Sequence, residues 1–272
     1  MTTTIVHCSD IHVGRGFMPE CAEAFVAAVE ELAPDAVVVA GDLTLRARRH
    51  QFQAAYRLLA RLNRPLLVIP GNHDIPLYNL PLRLLAPFRN YENDFGQARC
   101  RDIVLTDAAV LGLNTVTPYR HQQGCVREAA LQESLQWLRG MTTPWRILVT
   151  HQHFYDLPGH HRPGAFPDAA ALLERWAEAG AHAILHGHTH YPSVEDAQRH
   201  FPNLRRPVLL IGSGTLSNRR LRGPQTRTNT FQCLVITPSN LTIICHRWHA
   251  VSARWIAGPS QTFDRAAFTA DH

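Results

Sequence analysis

Five short apolar runs along the chain each end in a tight polar cluster. Residues 4–8 lead into Asp10-Ile11-His12, 36–40 into Gly41-Asp42, and 66–70 into Gly71-Asn72-His73-Asp74. Residues 146–150 lead into His151, and 183–186 into Gly187-His188-Thr189-His190. Continuous apolar runs of this length read as parallel strands buried on both faces. In an open α/β fold the clusters that follow them gather at the strands' carboxyl ends.

Between the runs the period changes to that of helices. Residues 19–32 open with Pro19, which suits an unpaired first-turn amide, and Pro34 stops them. Residues 48–62 carry a buried stripe of Phe52, Ala55, Leu58, Leu59 and Leu62. Together these give a β-α-β-α-β opening. Residues 75–97, rich in Pro, Leu and aromatics, read as an ordered excursion with a helical turn or two at 80–86. Its leucines are expected to pack on the sheet, and Tyr78 and Tyr91 are candidates to line a substrate mouth. Short strands are expected near 98–104 and 109–114, then a segment from Asn114 to His121 that returns to the rim, with Asn114 a candidate substrate contact. Helices are expected over 127–139 and 168–179, separated by the His151 strand and a polar loop carrying His153, His160 and His161. After residue 190, the apolar runs at 207–211, 231–237 and 241–246 lack long helices between them. They read as an antiparallel continuation forming a second sheet, with Trp248 and Trp255 as packing anchors. His7 and His186, inside apolar runs, read as hydrogen-bonded core histidines.

Carboxylate, imidazole and carboxamide groups converging on one rim are what a two-metal hydrolase requires. Asp-x-His, Gly-Asp, Gly-Asn-His-Asp, His and Gly-His-x-His occur here in the order found in calcineurin-like metallophosphoesterases, which the stretch from residue 5 to about 190 resembles. The Gly-Asp-Leu-Thr form is most similar to the bacterial class III cyclic-nucleotide phosphodiesterase branch. The resemblance implies a four-layer α/β/β/α sandwich. It implies Asp10, His12 and His190 on one metal, Asn72, His151 and His188 on the other, and Asp42 bridging both. A hydroxide bridging the ions is the implied nucleophile. His73 is implied as the group that protonates the leaving oxygen or steadies the transition state, and Asp74 is expected to fix the tautomer of a site imidazole. Mixed N/O ligation without cysteine fits Mn²⁺, Fe, Zn²⁺ or Co²⁺ and suits magnesium alone poorly; the resemblance implies a preference for Mn²⁺ or an Fe/Mn pair among them.

Composition changes this picture little. At 272 residues, with 45% hydrophobic and 18% charged residues, the chain is expected to form a single domain over 1–272 whose portion from about 200 is β-rich. No run reaches 18 apolar residues, no charged n-region precedes an apolar h-region, and a cytoplasmic protein is expected. The six cysteines form no C-x-x-C pair, so Cys8 and Cys233 read as small buried hydrophobes. All 27 basic residues are arginine, and the formal charge of +5 suits an anionic substrate. Arg219, Arg220 and Arg222, in a basic loop over 219–227, are candidate contacts for one, as is His153.

The leading expectation is a phosphodiesterase for a small phosphate ester, with 3′,5′-cyclic nucleotides first to test. A phosphomonoesterase, a nucleotide pyrophosphatase and a phospholipid-headgroup phosphodiesterase stay open as alternatives, with a non-catalytic metal-bound scaffold behind them. No dedicated nucleic-acid module is visible. A homo-oligomer is compatible with the sequence.

Overall fold

The computed structural model describes residues 2–156, 164–221 and 228–268. His160, His161 and Arg222 therefore lie outside the described residues. The opening runs as expected: β1 (Thr3–Cys8), α1 (Pro19–Leu32), β2 (Ala36–Ala40), α2 (Arg49–Ala60) and β3 (Leu66–Ile69). Every residue of β2 is buried, because parallel neighbours flank it and apolar layers cover both its faces. α1 begins at Pro19, turns Cys21, Ala22, Phe25 and Val29 inward, and ends where Ala33 enters the left-handed region at φ 44°.

Two further helices, α3 (Leu80–Leu85) and α4 (Arg89–Phe95), follow. α4 corrects the reading of 75–97 as mostly irregular. The leucine expectation fails as well: Leu80, Leu84 and Leu85 of α3 are exposed. Tyr91 is buried and its hydroxyl donates to the Val68 carbonyl (2.8 Å), so it is a packing residue and not part of a mouth.

The second half supplies β4 (Arg101–Val104), β5 (Ala108–Gly112), α5 (Glu128–Gly140), β6 (Trp145–Val149), α6 (Ala169–Glu178) and β7 (Ala183–His186). Then come β8 (Pro192–Asp196), β9 (Leu209–Ser213), β10 (Thr230–Ile236), β11 (Asn240–His249) and β12 (Arg254–Asp264). One six-stranded sheet has the order β12-β11-β10-β1-β2-β3, and the other β4-β5-β6-β7-β9-β8.

This topology corrects the C-terminal expectation. β9 runs parallel to β7, not antiparallel, and β10 to β12 extend the sheet begun by β1 to β3. β8 and β12 were not anticipated. Each is the edge of its sheet, and an edge strand needs no continuous apolar run. Most of β12 is exposed, and it contains Gly258 and Pro259, which argue against a central strand.

Three cores separate the four layers. Phe25, Phe52 and Leu59 pack between the first sheet and its helices, and Leu135, Leu173 and Trp176 between the second sheet and α5 and α6. Ile5, Val38, Leu185 and Leu234 fill the space between the sheets. Full burial of such a side chain contributes about 1.5–3 kcal/mol. The chain is thus an α/β/β/α sandwich, with the parallel strands of both sheets ending towards one edge. Trp248 is buried, and Trp255 packs edge-on against Phe231 (4.9 Å between centroids), as expected of anchors.

Candidate metal centre

Two groups of ligand-type side chains meet at that edge. Asp10, His12, Asp42 and His190 offer atoms within 4.8 Å of one another, as do Asp42, His151 and His188. Asp42 belongs to both. Its Oδ2 lies 3.6 Å from His12 Nε2 and its Oδ1 3.4 Å from His151 Nε2, so one carboxylate faces both groups. Asn72 Oδ1 lies 3.0 Å from His151 Nε2 and 2.9 Å from His188 Nδ1. All seven residues are therefore brought together.

The backbone delivers them at a cost. Of the nine non-glycine residues with positive φ among the described residues, five are Asp10, His12, Asp42, His188 and His190. L-residues rarely adopt this region, and such outliers cluster at functional sites. Close approach fixes the neighbouring glycines. A Cβ on Gly41 (φ 87°) would meet His151 Nδ1 at 2.6 Å, and one on Gly71 would strike the Asp42 backbone and carboxylate.

Backbone carbonyls orient the imidazoles. His151 Nδ1 donates to Ala40 O (2.7 Å), His190 Nδ1 to Arg220 O (2.6 Å) and His73 Nδ1 to Leu45 O (2.9 Å). A carbonyl only accepts, so each Nδ1 carries the proton and each Nε2 is turned to the site. Asp10 Oδ2 accepts from the Ser9 hydroxyl and from His188 N–H (3.0 Å). Its buried Oδ1 has no hydrogen-bond donor among the described residues, yet lies 3.3 Å from His190 Nε2.

These contacts call for a cation. In the neutral tautomers, His12 Nε2 and His190 Nε2 approach to 3.2 Å, and His151 Nε2 directs a lone pair at a carboxamide oxygen. Either a proton or a metal ion must lie between such groups. Burial opposes charge on His151, but the Asp42 carboxylate pushes its pKa up to about 9. Burial would likewise raise the Asp42 carboxyl, but His151 and His73 hold it well below its usual range. A metal ion bound to Nε2 would displace that proton, so the donor set fits two N/O-ligated cations.

The remaining candidates separate. His73, whose N–H donates to Asp42 Oδ1 (2.8 Å), stands with its Nε2 3.4 Å from Arg220 Nη1, while Arg46 Nη1 lies 3.5 Å from its Nδ1. Burial lowers its pKa to about 4, against the pull of Asp42. His73, Arg46, His121 and Arg220 line a cavity of about 180 Å³ over Asp42 and Asn72. Arg46, His121 and Gln122 were not singled out from the sequence; the signals were the position of Arg46 two residues after the Gly-Asp-Leu-Thr cluster and that of His121 in the rim-returning segment.

The hydrogen-bond donors that surround Asp74 among the described residues are backbone amides and a hydroxyl rather than an imidazole, which corrects its expected role. Its carboxylate accepts from the backbone N–H groups of Leu43 (3.0 Å), Thr44 (2.9 Å) and Gly71 (2.9 Å) and from the Thr44 hydroxyl (2.9 Å). It therefore ties the Asp42 loop to the Asn72 loop. Burial and the Asp42 charge raise its pKa to about 6 against these donors.

Asn114 is another correction, since it is buried, donates to Ala98 O (3.0 Å) and accepts from Val116 N–H (3.0 Å). His153 stacks on His188 (5.5 Å) and is buried. Tyr78 is exposed, with its ring 6.0 Å from the Arg46 guanidinium carbon. Arg219 is exposed, its N–H bonded to Gly16 O (2.9 Å). His186 Nδ1 lies 3.2 Å from Gly187 O as a core histidine should, but both nitrogens of the buried His7 lack partners among the described residues, contrary to expectation. Burial pushes the His7 pKa down to about 3, so this ring is neutral.

Comparison with known proteins assigns this architecture. Residues 3–192 match the model of the calcineurin-like phosphoesterases, and the chain belongs to that family of hydrolases. A stretch of 41 residues is 54% identical to the glycerophosphodiester phosphodiesterase GpdQ of Enterobacter lignolyticus (strain SCF1), and it spans only 15% of either chain. The fold is similar to that of the purple acid phosphatase PPD1 from yellow lupin, Lupinus luteus. The TM-score is 0.74 at 14% identity, over 99% of this chain and 55% of that one. It is also similar to a dimetal phosphatase from Danio rerio, with TM-score 0.64 and 12% identity over 97% and 99% of the two chains. Among the described residues no helix is long and apolar enough to cross a membrane.

Proposed function

We propose that this chain is a dinuclear metal-dependent phosphodiesterase acting on a small phosphate ester. The observation that carries the reading is the single carboxylate, Asp42, shared by two buried ligand groups beneath a cavity edged by His73, Arg46 and Arg220. Asp10, His12 and His190 would hold one ion, Asn72, His151 and His188 the other, with Asp42 joining them. Manganese or an Fe/Mn pair suits this donor set, and Zn²⁺ or Co²⁺ is compatible. When bound, such a pair supplies Lewis acidity towards a phosphoryl oxygen and activates water for attack on phosphorus.

The chain's own groups do the rest. Arg220 and Arg46 present guanidinium forks to non-bridging phosphate oxygens. His73, fixed through Nδ1 to Leu45 O, aims Nε2 at the cavity; the ring is neutral when the cavity is empty, and once an anionic phosphate adds to the pull of Asp42 and Nε2 takes up a proton, it can donate that proton or a hydrogen bond to the leaving oxygen. Asp74 holds both ligand loops in register. Arg219, exposed and next in the chain to Arg220, is a candidate contact for a larger anionic substrate.

The local identity to a glycerophosphodiester phosphodiesterase favours glycerophosphodiesters as a substrate class beside 3′,5′-cyclic nucleotides. The test is turnover of bis(p-nitrophenyl) phosphate after chelation and Mn²⁺ return, followed by cyclic AMP and glycerophosphocholine. Metal-dependent turnover is expected in the wild type and not in Asp42→Asn. Activity that survives chelation, or an Asn variant with near-normal turnover, refutes the assignment.

A further inference from the structure

Arg46 borders two adjoining hollows. Besides the cavity over the ligand cluster, it lines a wider groove of about 510 Å³ that shares Arg46 and Leu77 with that cavity. Arg48, Arg49, His50 and Tyr78 also line it, and all four are exposed. Arg61, Arg175, Arg199 and Arg205 form ion pairs elsewhere on the surface. Arg46, Arg48 and Arg49 thus crowd one groove with no carboxylate within 4.0 Å among the described residues. Like charges gathered in this way focus an attractive field for anions. Guanidinium groups add a fork that matches phosphate oxygens in pairs.

We infer that this groove is a second phosphate subsite: besides the diester that is cut, the substrate carries another phosphate group, held by Arg48 and Arg49. Arg46, on the wall common to both hollows, faces the span between the two phosphates. The inference rests on the phosphodiesterase reading and narrows it. A 3′,5′-cyclic mononucleotide has one phosphate and leaves the groove unused. A linear nucleotide with a terminal phosphate, or a phosphorylated polyol headgroup, would fill both hollows. The shared chemistry is a phosphomonoester beside a phosphodiester.

Two substrate pairs that differ only in that phosphate provide the test. ApA is compared with pApA, and glycerophosphoinositol with its 4-phosphate, on the Mn²⁺-loaded protein. One guanidinium–phosphate contact at an accessible site is worth on the order of tenfold in affinity. The extra phosphate should therefore raise kcat/KM by roughly tenfold or more in at least one pair. That advantage should vanish in R48A/R49A and in the charge-only variant R48Q/R49Q, with bis(p-nitrophenyl) phosphate turnover changed by less than about twofold. A gain confined to the nucleotide pair, or to the inositol pair, identifies the source of the phosphate. No gain in either pair, or a gain that survives both double variants, overturns the subsite. If bis(p-nitrophenyl) phosphate itself is not hydrolysed, the phosphodiesterase reading fails separately. Calorimetric binding of pApA against ApA to wild type and R48Q/R49Q then still decides the groove.

Discussion

Replacing Asp74 with asparagine isolates the clamp between the two ligand loops. One carboxylate oxygen accepts from Leu43 N–H and Gly71 N–H, and the other from Thr44 N–H and the Thr44 hydroxyl. A carboxamide keeps one acceptor oxygen and turns an NH₂ towards the donors on the other side. The hydroxyl can rotate away, but backbone N–H groups cannot, so one or two buried donors lose their partner. Each such loss costs about 1–3 kcal/mol, giving roughly 1–6 kcal/mol according to which way the amide settles. That is a large share of the 5–15 kcal/mol typical of a folded domain. Urea unfolding of wild type and Asp74→Asn at equal metal loading measures it, with the midpoint shifting and the slope unchanged. Because the clamp spans Asp42 and Asn72, metal affinity should fall with stability. A loss below about 0.5 kcal/mol with unaltered metal affinity would refute the clamp.

His73→Ala should retain both metal ions, since His73 is not counted as a ligand, while kcat falls by roughly 10²–10⁴-fold, the range for a positioned acid or base. The loss should be larger for a ribose leaving group than for p-nitrophenolate; equal losses on both substrates would contradict proton donation, and loss of an ion would make His73 a ligand. His182 gives a pH test away from the metals. Its Nδ1 accepts from Arg146 N–H (3.1 Å), and burial followed by Arg146 and Arg265 pushes its pKa from 6.5 down to about 3. The unfolded chain then takes up a proton that the folded chain refuses, so this contribution to stability is complete above pH 6.5 and is lost as pH falls towards 3. Below that upper value the wild type should lose up to about 1.4 kcal/mol per pH unit more than His182→Asn, and parallel pH profiles would contradict the shift. Gly71→Ala, which drives a methyl group into Asp42, should lower metal affinity and activity, as read by metal titration; an unchanged titration would mean that the loop yields freely.

The parallel strands were legible because strands buried on both faces must be apolar throughout, as the wholly buried β2 is. The cluster of proposed ligands was legible because each of them follows such a run. The edge strands β8 and β12 were not, since an exposed edge imposes no apolar pattern. Nor does composition reveal that β10 returns beside β1, a pairing of residues more than two hundred positions apart. Side-chain roles were read less well than positions. Asn114 lies near the rim but turns its amide to Ala98 and Val116, and the Asp74 carboxylate was assigned to an imidazole when backbone amides surround it. The left-handed backbone at five of the proposed ligand positions leaves no mark in the sequence, because a functional site can hold an L-residue where local preference would put glycine.

The central claim is that Asp42 joins two metal ions. An anomalous-difference map from crystals of the Mn²⁺-loaded protein tests it most directly. The expected result is two peaks about 3.5 Å apart, one beside Asp10, His12 and His190, the other beside Asn72, His151 and His188, with the Asp42 carboxylate between them. A single peak, or two peaks that Asp42 does not touch, would contradict the account.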